Sequence, residues 1–219
     1  MSLPRYQAYK NSGFEWLGEI PDHWEIIRLK RITRSFEQGW SPQCESFPVE
    51  APAEWGVMKV GCVNGGVFRP TENKKLPVEL EPLPHYSLRR GDLLISRANT
   101  RELVGSAAVV REDFDNLLLC DKLYRLRTGD FSLSAYLAYY LGTWQTRSQI
   151  ELEATGASSS MLNIGQSAIL ELPMPLPRQT ERANIVAFLD RETAKIDALI
   201  AEQERLIALL AEKRQAIPR

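Results

Sequence analysis

The spacing of apolar residues divides the chain into two unlike parts. Up to about residue 173, apolar runs at 57–63, 92–96, 106–110 and 117–126 alternate with segments that contain Gly and Pro. This alternation is typical of strands separated by turns. The first part is therefore predicted to contain several strands.

One segment in this first part has helical spacing instead. Residues 133–150 place five apolar side chains on one helix face, namely Leu133, Leu137, Tyr140, Leu141 and Trp144. Ser132 precedes them in a position suited to an N-cap. The pattern predicts one packed helix.

The connection to the last part is rich in proline. In "ELPMPLPRQTER", Pro173, Pro175 and Pro177 alternate with other residues, which favours an extended path because proline lacks an N–H donor and restricts the preceding residue. An edge strand or a stiff linker is expected. Thr180 is placed to cap a following helix, with Glu181 in its first turn, where a negative charge suits the helix dipole.

A heptad stripe runs through residues 184–217. Its apolar positions step by threes, fours and sevens, and they are Ile185, Leu189, Ile196, Leu199, Leu206 and Leu210, with Glu192, Gln203 and Lys213 as polar interruptions. A helix of this length spans roughly 50 Å and exposes too much apolar surface to stand alone in water. Its partner is a second copy, another protein, or its own domain if the helix folds back.

These patterns predict an α+β protein. A mixed globular domain with several strands and at least one packed helix occupies residues 1–177, and a long C-terminal helix forming a coiled-coil spacer occupies 178–219. With 219 residues, 44% of them hydrophobic and 9% aromatic, the chain has enough apolar material for a domain-sized core.

Cysteine usage and hydropathy indicate a cytoplasmic protein. The three cysteines lack the paired spacings of a zinc site or disulfide framework, as expected in a reducing compartment. No signal peptide and no run of the roughly 20 apolar residues that cross a bilayer is visible.

The net charge of −1 gives little support to a nucleic-acid partner, but basic residues gather in 28–34, 59–75 and 89–101. The fold could bring these stretches to one partner, or each side chain could be ordinary solvated surface.

Little in the sequence suggests catalysis. There are two histidines, no phosphate-binding Gly-rich loop followed by Lys-Ser or Lys-Thr, and no adenine-methyltransferase motif. A magnesium-dependent nuclease is the alternative, with Glu72 and Lys74 downstream of Asp22. That signal is weak in a chain with 25% charged residues, so no catalytic residue, metal or cofactor is predicted.

Two fragments suit nucleic-acid binding. In 91–110 a strand runs into a loop with Arg97, Asn99, Thr100 and Arg101, and Arg and Asn are the side chains that bond guanine and adenine edges in two places. The small polar segment 154–165 offers hydroxyls and amides for phosphate. The DNA backbone is assigned to Lys30, Arg31, Arg34, Arg69, Lys74, Lys75, Ser158, Ser159 and Ser160. A polar hairpin loop and a flexible connector remain the alternatives for the two fragments.

Four segments together resemble a known family. They are "NSGFEWLGEIPDHWEIIRLKRI", "GDLLISRANTRELVG", "TGASSSMLNIGQSAILELPMPLP" and "FLDRETAKIDALIAEQERLIALLAEKRQA". The chain resembles the specificity subunit of type I restriction-modification enzymes, HsdS. One departure is "PRQTE" at the helix entry, where the family commonly has Pro-x-x-Glu-Gln.

The resemblance implies a single half of such a subunit, with one target-recognition domain and one spacer helix. It implies double-stranded DNA, modification methyltransferase subunits and a restriction/translocase subunit as partners, and pairing with a second half, as a homodimer, through the C-terminal helix. Catalysis would lie in the partner subunits. A protein-interaction adaptor with a coiled-coil arm, which would not bind DNA, is a further alternative.

Overall fold

The computed structural model describes residues 5–158 and 161–215. The helices are α1 (Phe131–Leu141), α2 (Trp144–Glu153), α3 (Gln166–Leu170) and α4 (Gln179–Gln215). The strands are β1 (Tyr9–Asn11), β2 (Glu19–Pro21), β3 (Glu25–Arg28), β4 (Ser35–Gln38), β5 (Gly56–Met58), β6 (Asn73–Lys75), β7 (Ser87–Leu88), β8 (Leu93–Ser96), β9 (Ala98–Asn99), β10 (Ala107–Val109), β11 (Phe114–Leu118), β12 (Leu123–Arg127), β13 (Thr155–Ser158), β14 (Met161–Asn163) and β15 (Pro173–Leu176). The predicted α+β class, with a long C-terminal helix, is confirmed.

The described residues before α4 form the globular part of the chain, called the body below. An antiparallel sheet in the order β10-β8-β12-β4 lies at its centre and is covered on both faces. Because successive side chains of a strand point to opposite faces, Leu93 and Ile95 of β8 enter one core while Leu94 enters the other. The first core is closed by α1, α3 and the start of α4, and the second by the β6-β5-β11-β7 sheet. Burial on both faces explains why β8 is apolar without alternation.

The predicted strands at 92–96 and 106–110 are present as β8 and β10, whereas two other predicted strands are divided. Only residues 57 and 58 of the run 57–63 are extended, in β5, and a 3-10 helical segment, Val60–Gly66, follows. The run 117–126 contains two strands, β11 and β12, separated by a turn. These strands belong to different sheets, so the chain must change layers between them.

The single helix predicted over 133–150 is wrong in three respects. Gly142 and Thr143 divide it into α1 and α2, and Thr143 caps α2 with its side chain. Asp130, not Ser132, caps α1 by accepting bonds from the backbone N–H groups of Ser132 and Leu133. Trp144 is 74% exposed rather than on the buried face, because α2 starts a new direction there.

The proline segment is extended, as expected, and pairs as β15 with β3. Its prolines are buried, and two tyrosines of α1 hold its carbonyl groups. Tyr136 Oη donates to the Pro175 carbonyl at 2.9 Å and Tyr140 Oη to the Pro173 carbonyl at 2.5 Å. The segment that leads to α4 is therefore fixed to the body along its length.

Helix α4 is attached to the body at its start and projects from it further on. Arg182 and Val186 are buried, and Asp190 accepts bonds from Arg111 and Tyr139. Every side chain from residue 194 to residue 214 is exposed. The projecting part has a length of about 30 Å at about 1.5 Å per residue.

Thr180 lies inside α4 rather than at its cap. The first turn is closed from within, because the Arg178 backbone N–H donates to the Glu181 carboxylate at 3.2 Å. This contact is the reciprocal half of a capping box, with Glu at the third helical position. Among the described residues, no helix combines the length and apolar character that a bilayer crossing requires.

Candidate nucleic-acid interface

The two fragments singled out for nucleic-acid binding lie side by side. Strand β9 pairs antiparallel with β14, with Asn99 opposite Leu162 and Ala98 opposite Asn163. Strand β14 in turn pairs with β13, so the small polar segment forms a hairpin beside the loop of Arg97 to Arg101. About 60 residues of chain separate these strands, yet they form one small sheet.

A third element, the turn that follows Val63, reaches the same place. Asn64 (φ −63°, ψ 134°) and Gly65 (φ 75°, ψ 14°) have the dihedral angles of a type II turn, which requires a positive φ at its third residue. The Asn99 side-chain amide donates to Asn64 Oδ1 and to Ser96 Oγ, each at 3.3 Å. The bond between Asn99 and Asn64 ties this turn to β9, and the Arg69 guanidinium donates to the Asn64 carbonyl within the turn.

The loop after β9 is anchored from beneath by α2. The half-buried Arg147 guanidinium donates to the carbonyl groups of Val104 and, at 3.1 Å, Glu102. Gly105 (φ +74°) packs so closely on Ile150 that a Cβ there would lie 2.6 Å from its Cγ2. Burial lowers the Arg147 pKa, but as an arginine it keeps its charge. The loop is therefore held at a fixed distance from α2.

The four residues predicted to contact bases differ in their exposure and in the hydrogen bonds they already make. Arg101 is exposed, and no ion pair involves it in the described part of the chain. Arg97 is half-buried, with its backbone bonded on both sides, to the Lys122 carbonyl and from the Ile164 N–H. Asn99 already uses its amide within the protein, and the Thr100 backbone N–H bonds to the Asn99 side chain. Arg101 is thus the most accessible of the four, and exposed Lys122 adds a positive charge near Arg97 that sequence reasoning missed.

The predicted DNA-backbone residues are scattered. Arg69 lies at the Asn64 turn. Arg31 and Arg34 lie near the far end of β12, because the Arg34 N–H bonds to the Arg127 carbonyl, while Arg97 lies at the Leu123 end, some 13 Å away along the strand. Lys30, near them in sequence, pairs with Glu171 at 2.7 Å. These three residues therefore do not share a small patch with the β9 loop.

The remaining residues predicted to contact the DNA backbone lie in different places. Lys74 and Lys75 lie on the edge strand β6, and Lys75 pairs with Glu54, whose pKa this bond lowers to about 2. Ser158 ends β13, in the hairpin beside the β9 loop. Ser159 and Ser160 lie outside the described residues.

A buried arginine that sequence reasoning missed lies in the central strand β12. Arg125 of β12 is fully buried, and it donates to the Glu37 carboxylate at 3.0 Å, to the Ser87 carbonyl at 2.8 Å and to the His85 carbonyl at 2.9 Å. Arg127 bonds to Asp92 at 2.6 Å, and this bond raises the Arg127 pKa. Buried charges need such partners, so the network joins the 84–92 segment to the central sheet. A charged residue within an apolar strand run was the signal available in the sequence.

The nuclease constellation is not assembled. Glu72 lies 3.8 Å from Lys59 beside β6, whereas Asp22 follows β2 in another sheet, next to the His23 that bonds to Glu181. Over the described residues, no cluster of three or more His, Cys, Asp or Glu side chains has the arrangement of a metal site. Cys62 and Cys120 are buried, and burial raises the pKa of both thiols.

The body and its projecting helix have known counterparts among solved structures. A chain from a structure on complex assembly and conformational transition of the type I R-M system aligns with a TM-score of 0.64 and 24% identity, covering 95% of this chain and 47% of the other. The HsdS subunit from Thermoanaerobacter tengcongensis aligns with a TM-score of 0.58 and 23% identity, covering 89% and 42%. These structures define the class, namely proteins with the HsdS fold.

Curated sequences give the family. The chain is 30% identical over 173 residues to the type I restriction enzyme EcoEI specificity subunit of Escherichia coli, covering 78% of this chain and 29% of that protein. It is 24% identical over 207 residues to the putative type I restriction enzyme MjaX specificity subunit of Methanocaldococcus jannaschii, covering 93% and 47%. No family model matches. The chain belongs with the specificity subunits of type I restriction enzymes, and it spans less than half the length of these two relatives.

Proposed function

We propose that this chain selects the DNA site on which a type I restriction-modification complex acts. The observation that carries the proposal is the meeting of three loops, namely the β9 loop, the β13–β14 hairpin and the Asn64 turn, on a rigid sheet with Arg97, Arg101 and Lys122. Rigid presentation of Arg and Asn side chains suits the reading of base edges in the major groove. Methylation, translocation and cleavage belong to partner subunits, and this chain contributes no catalytic residue or cofactor.

The proposed partners are double-stranded DNA, modification methyltransferase subunits, a restriction/translocase subunit and a second copy of this chain. The second copy would join through α4, whose apolar side chains at Ile196, Leu199, Leu206 and Leu210 are 49–64% exposed. We also propose that residues 1–177 act as the recognition domain and 178–219 as the spacer, in the cytoplasm. The attachment of Arg182 and Val186 to the body implies that the start of the spacer moves with that domain.

The test is methylation of chromosomal DNA in cells that co-express this chain with the methyltransferase subunit encoded by the neighbouring gene. We expect methylated adenines in one interrupted, symmetric motif, because two identical readers at the ends of a spacer read an inverted repeat. Absence of any sequence motif, with an assembled complex present, would contradict the proposal.

Variants in the same assay separate the roles of the arginines. Arg97→Ala and Arg101→Ala should relax preference at individual positions of the motif, each by about 1–3 kcal/mol. Arg205→Ala, on the projecting helix, is the matched control and should leave the motif unchanged. An unchanged motif in both loop variants would remove these two residues from the base-reading set.

A third variant tests whether the loop must be held in place. Arg147→Ala leaves the Glu102 and Val104 carbonyls without their donor, so we expect weaker base preference at several positions of the methylated motif. Arg147→Lys should recover part of the preference, because one donor returns. If both variants gave the native motif, the α2 anchor would have no part in recognition.

A further inference from the structure

Arg97 is joined to residues 120–123, the tight turn between β11 and β12, which is called the β11–β12 turn below. The Arg97 backbone N–H donates to the Lys122 carbonyl at 2.9 Å, and its guanidinium donates to the Asp121 carbonyl at 3.4 Å. A backbone bond of 3.2 Å between the first and last residues of the turn closes it. The place of the Arg97 side chain therefore depends on where this turn lies.

The β11–β12 turn is held on its other side by Trp40, which follows β4. The Trp40 N–H donates to the Leu119 carbonyl at 3.1 Å, and the Asp121 N–H donates to the Trp40 carbonyl at 3.2 Å. Because β12 lies between β8 and β4 in the central sheet, Arg97 and Trp40 approach the turn from opposite sides. The Trp40 side chain packs against the second core, so the turn is fixed between two anchored segments.

Gly39 permits this contact because it has no side chain. A Cβ at this residue would lie 2.2 Å from the Leu119 carbonyl oxygen and 2.6 Å from the Cys120 carbonyl oxygen. Both atoms belong to the backbone, so rotation of a side chain cannot relieve the overlap. The neighbouring Glu37 accepts a bond from the buried Arg125 at 3.0 Å, which holds β4 in place. We therefore expect a larger residue at position 39 to displace the β11–β12 turn.

Arg101 is held by a different support. Its loop is bonded to α2 through Arg147, and no hydrogen bond within the described part of the chain joins residues 100–104 to the β11–β12 turn. The two supports meet at the end of β8, where the Gly105 N–H donates to the Ser96 carbonyl at 2.7 Å. Since β8 belongs to the central sheet, a shift of one support need not move the other.

We infer that Gly39 and Trp40 are positioning residues for the β11–β12 turn. They set where Arg97 meets a base and where Lys122 meets the adjoining phosphate, so these two DNA contacts act as one unit. Arg101, which α2 holds, acts apart from that unit. This inference rests on the proposed DNA recognition and adds which parts of the surface act together.

The two side chains of the unit suit these two tasks. Arginine can donate two bonds to one base edge, whereas lysine acts on phosphate as a point charge. Lys122 is exposed, and no ion pair among the described residues involves it. Its charge is therefore available to the DNA backbone beside the base that Arg97 contacts.

Substitution of Gly39 tests the inference in the same methylation assay. Arg97→Ala and Arg101→Ala first identify the motif position that each arginine reads. Gly39→Ala should then lower base preference about tenfold at the Arg97 position and less than twofold at the Arg101 position, because the added Cβ displaces only the turn. The matched control Gly61→Ala, whose Cβ would meet no atom closer than 3.5 Å, should leave the motif unchanged.

Double variants separate positioning from general support. Gly39→Ala/Arg97→Ala should lose no more preference at the Arg97 position than Arg97→Ala alone, because the side chain to be positioned is already absent. Gly39→Ala/Arg101→Ala should show both losses, each at its own position. In an assembled complex, equal losses at all positions in Gly39→Ala, or an added loss in Gly39→Ala/Arg97→Ala, would overturn the inference.

Asp121→Pro removes the same support if the added methyl group at residue 39 prevents folding. Proline cannot donate to the Trp40 carbonyl, and it is common at the second residue of a tight turn. We expect the pattern of Gly39→Ala, whereas the matched control Asp121→Ala keeps the N–H and should keep the preference. An unchanged Arg97 position in Asp121→Pro would overturn the inference and leave the proposed function intact. Absence of any motif with the wild-type chain would overturn both.

The salt dependence of DNA binding tests Lys122 independently. With the assembled complex and a duplex that contains the mapped motif, Lys122→Ala should reduce the slope of log affinity against log salt by about one and leave the motif unchanged. A phosphate contact releases a counterion but carries no sequence information. Lys195→Ala, on the projecting helix, is the matched control and should keep the wild-type slope. An unchanged slope in Lys122→Ala would remove Lys122 from the unit and overturn the inference.

Discussion

The two halves of α4 share one heptad pattern but have different surroundings. Residues 179–193 are tied to the body by buried or half-buried polar groups, including Arg182 on Asp130 at 2.7 Å, Glu181 on His23 at 2.8 Å and Asp190 on Arg111 at 2.6 Å. Residues 194–214 have no such contact with the body, and seven of their large apolar side chains are 49–65% exposed. Fixed polar contacts thus orient the helix, while an apolar face of the projecting half stays exposed.

Hydrogen exchange should show this difference most strongly. In dilute protein, amides of residues 196–214 should exchange at least a thousandfold faster than those of 184–192, because an isolated helix of this length is marginal in water. Raising the protein concentration should slow exchange in the projecting half and leave the attached half unchanged. Equal protection of both halves in dilute protein would show that the outer half packs on its own body.

Removal of the buried arginine should detach the first half. Arg182→Ala leaves Asp130, which also caps α1, without its charged partner, so the free energy of unfolding should fall by about 2–3 kcal/mol. Chemical denaturation measures this loss. Arg205→Ala is the control in the projecting half and should stay within about 0.5 kcal/mol of the wild type. If the free energy of unfolding of Arg182→Ala also stayed within this range, apolar packing alone would hold the helix on the body.

Truncation of a leucine in the second half should affect association alone. Leu206→Ala should raise the dimer dissociation constant about thirtyfold, equal to about 2 kcal/mol, while the unfolding midpoint of the body measured on monomer stays constant. Sedimentation measures the first quantity and calorimetry the second. A fall in body stability with unchanged association would reverse the roles assigned to the two halves.

Acid should weaken the attached half slightly more than the projecting half. Burial raises the Asp190 pKa, but bonds from Arg111 and Tyr139 outweigh it and hold the pKa below its usual value. A depressed carboxyl pKa stabilises the fold above the unfolded pKa near 3.8, and this stabilisation is lost as pH falls through the lower, folded value. Asp190→Asn should therefore lower stability at pH 6 by less than about 1 kcal/mol and flatten its decline below about pH 4. A parallel decline in both proteins would exclude Asp190 from the acid response.

The sequence predicted those features that depend on local pattern. The heptads indicated α4, the alternating prolines indicated the extended β15, and the apolar runs at 92–96 and 106–110 indicated β8 and β10. Two of the wrong boundaries arose because a single Gly-Thr pair, at 142 and 143, was enough to start a new helix, and because a turn within 117–126 left few polar residues as a signal.

The candidate interface could be predicted only in pieces. The loop after β8 and the small polar segment were found separately by residue type, but their union depends on the pairing of β9 with β14, between residues about 60 positions apart. The spacing of apolar and polar residues along the chain gives no information about pairing between such distant strands. The separation of Arg31 and Arg34 from the β9 loop has the same origin, because it depends on which end of β12 each element meets.

The proline-rich strand before α4 also has a mechanical consequence. Pro173 and Pro175 are fixed in φ and buried, and two tyrosines bond to their carbonyl groups, so the strand that leads to α4 is held rigidly against α1. If the body binds DNA as proposed above, any tilt of the body is passed on to the projecting part of α4. The far end of α4 would then move with the body, through a distance set by the length of the projecting part.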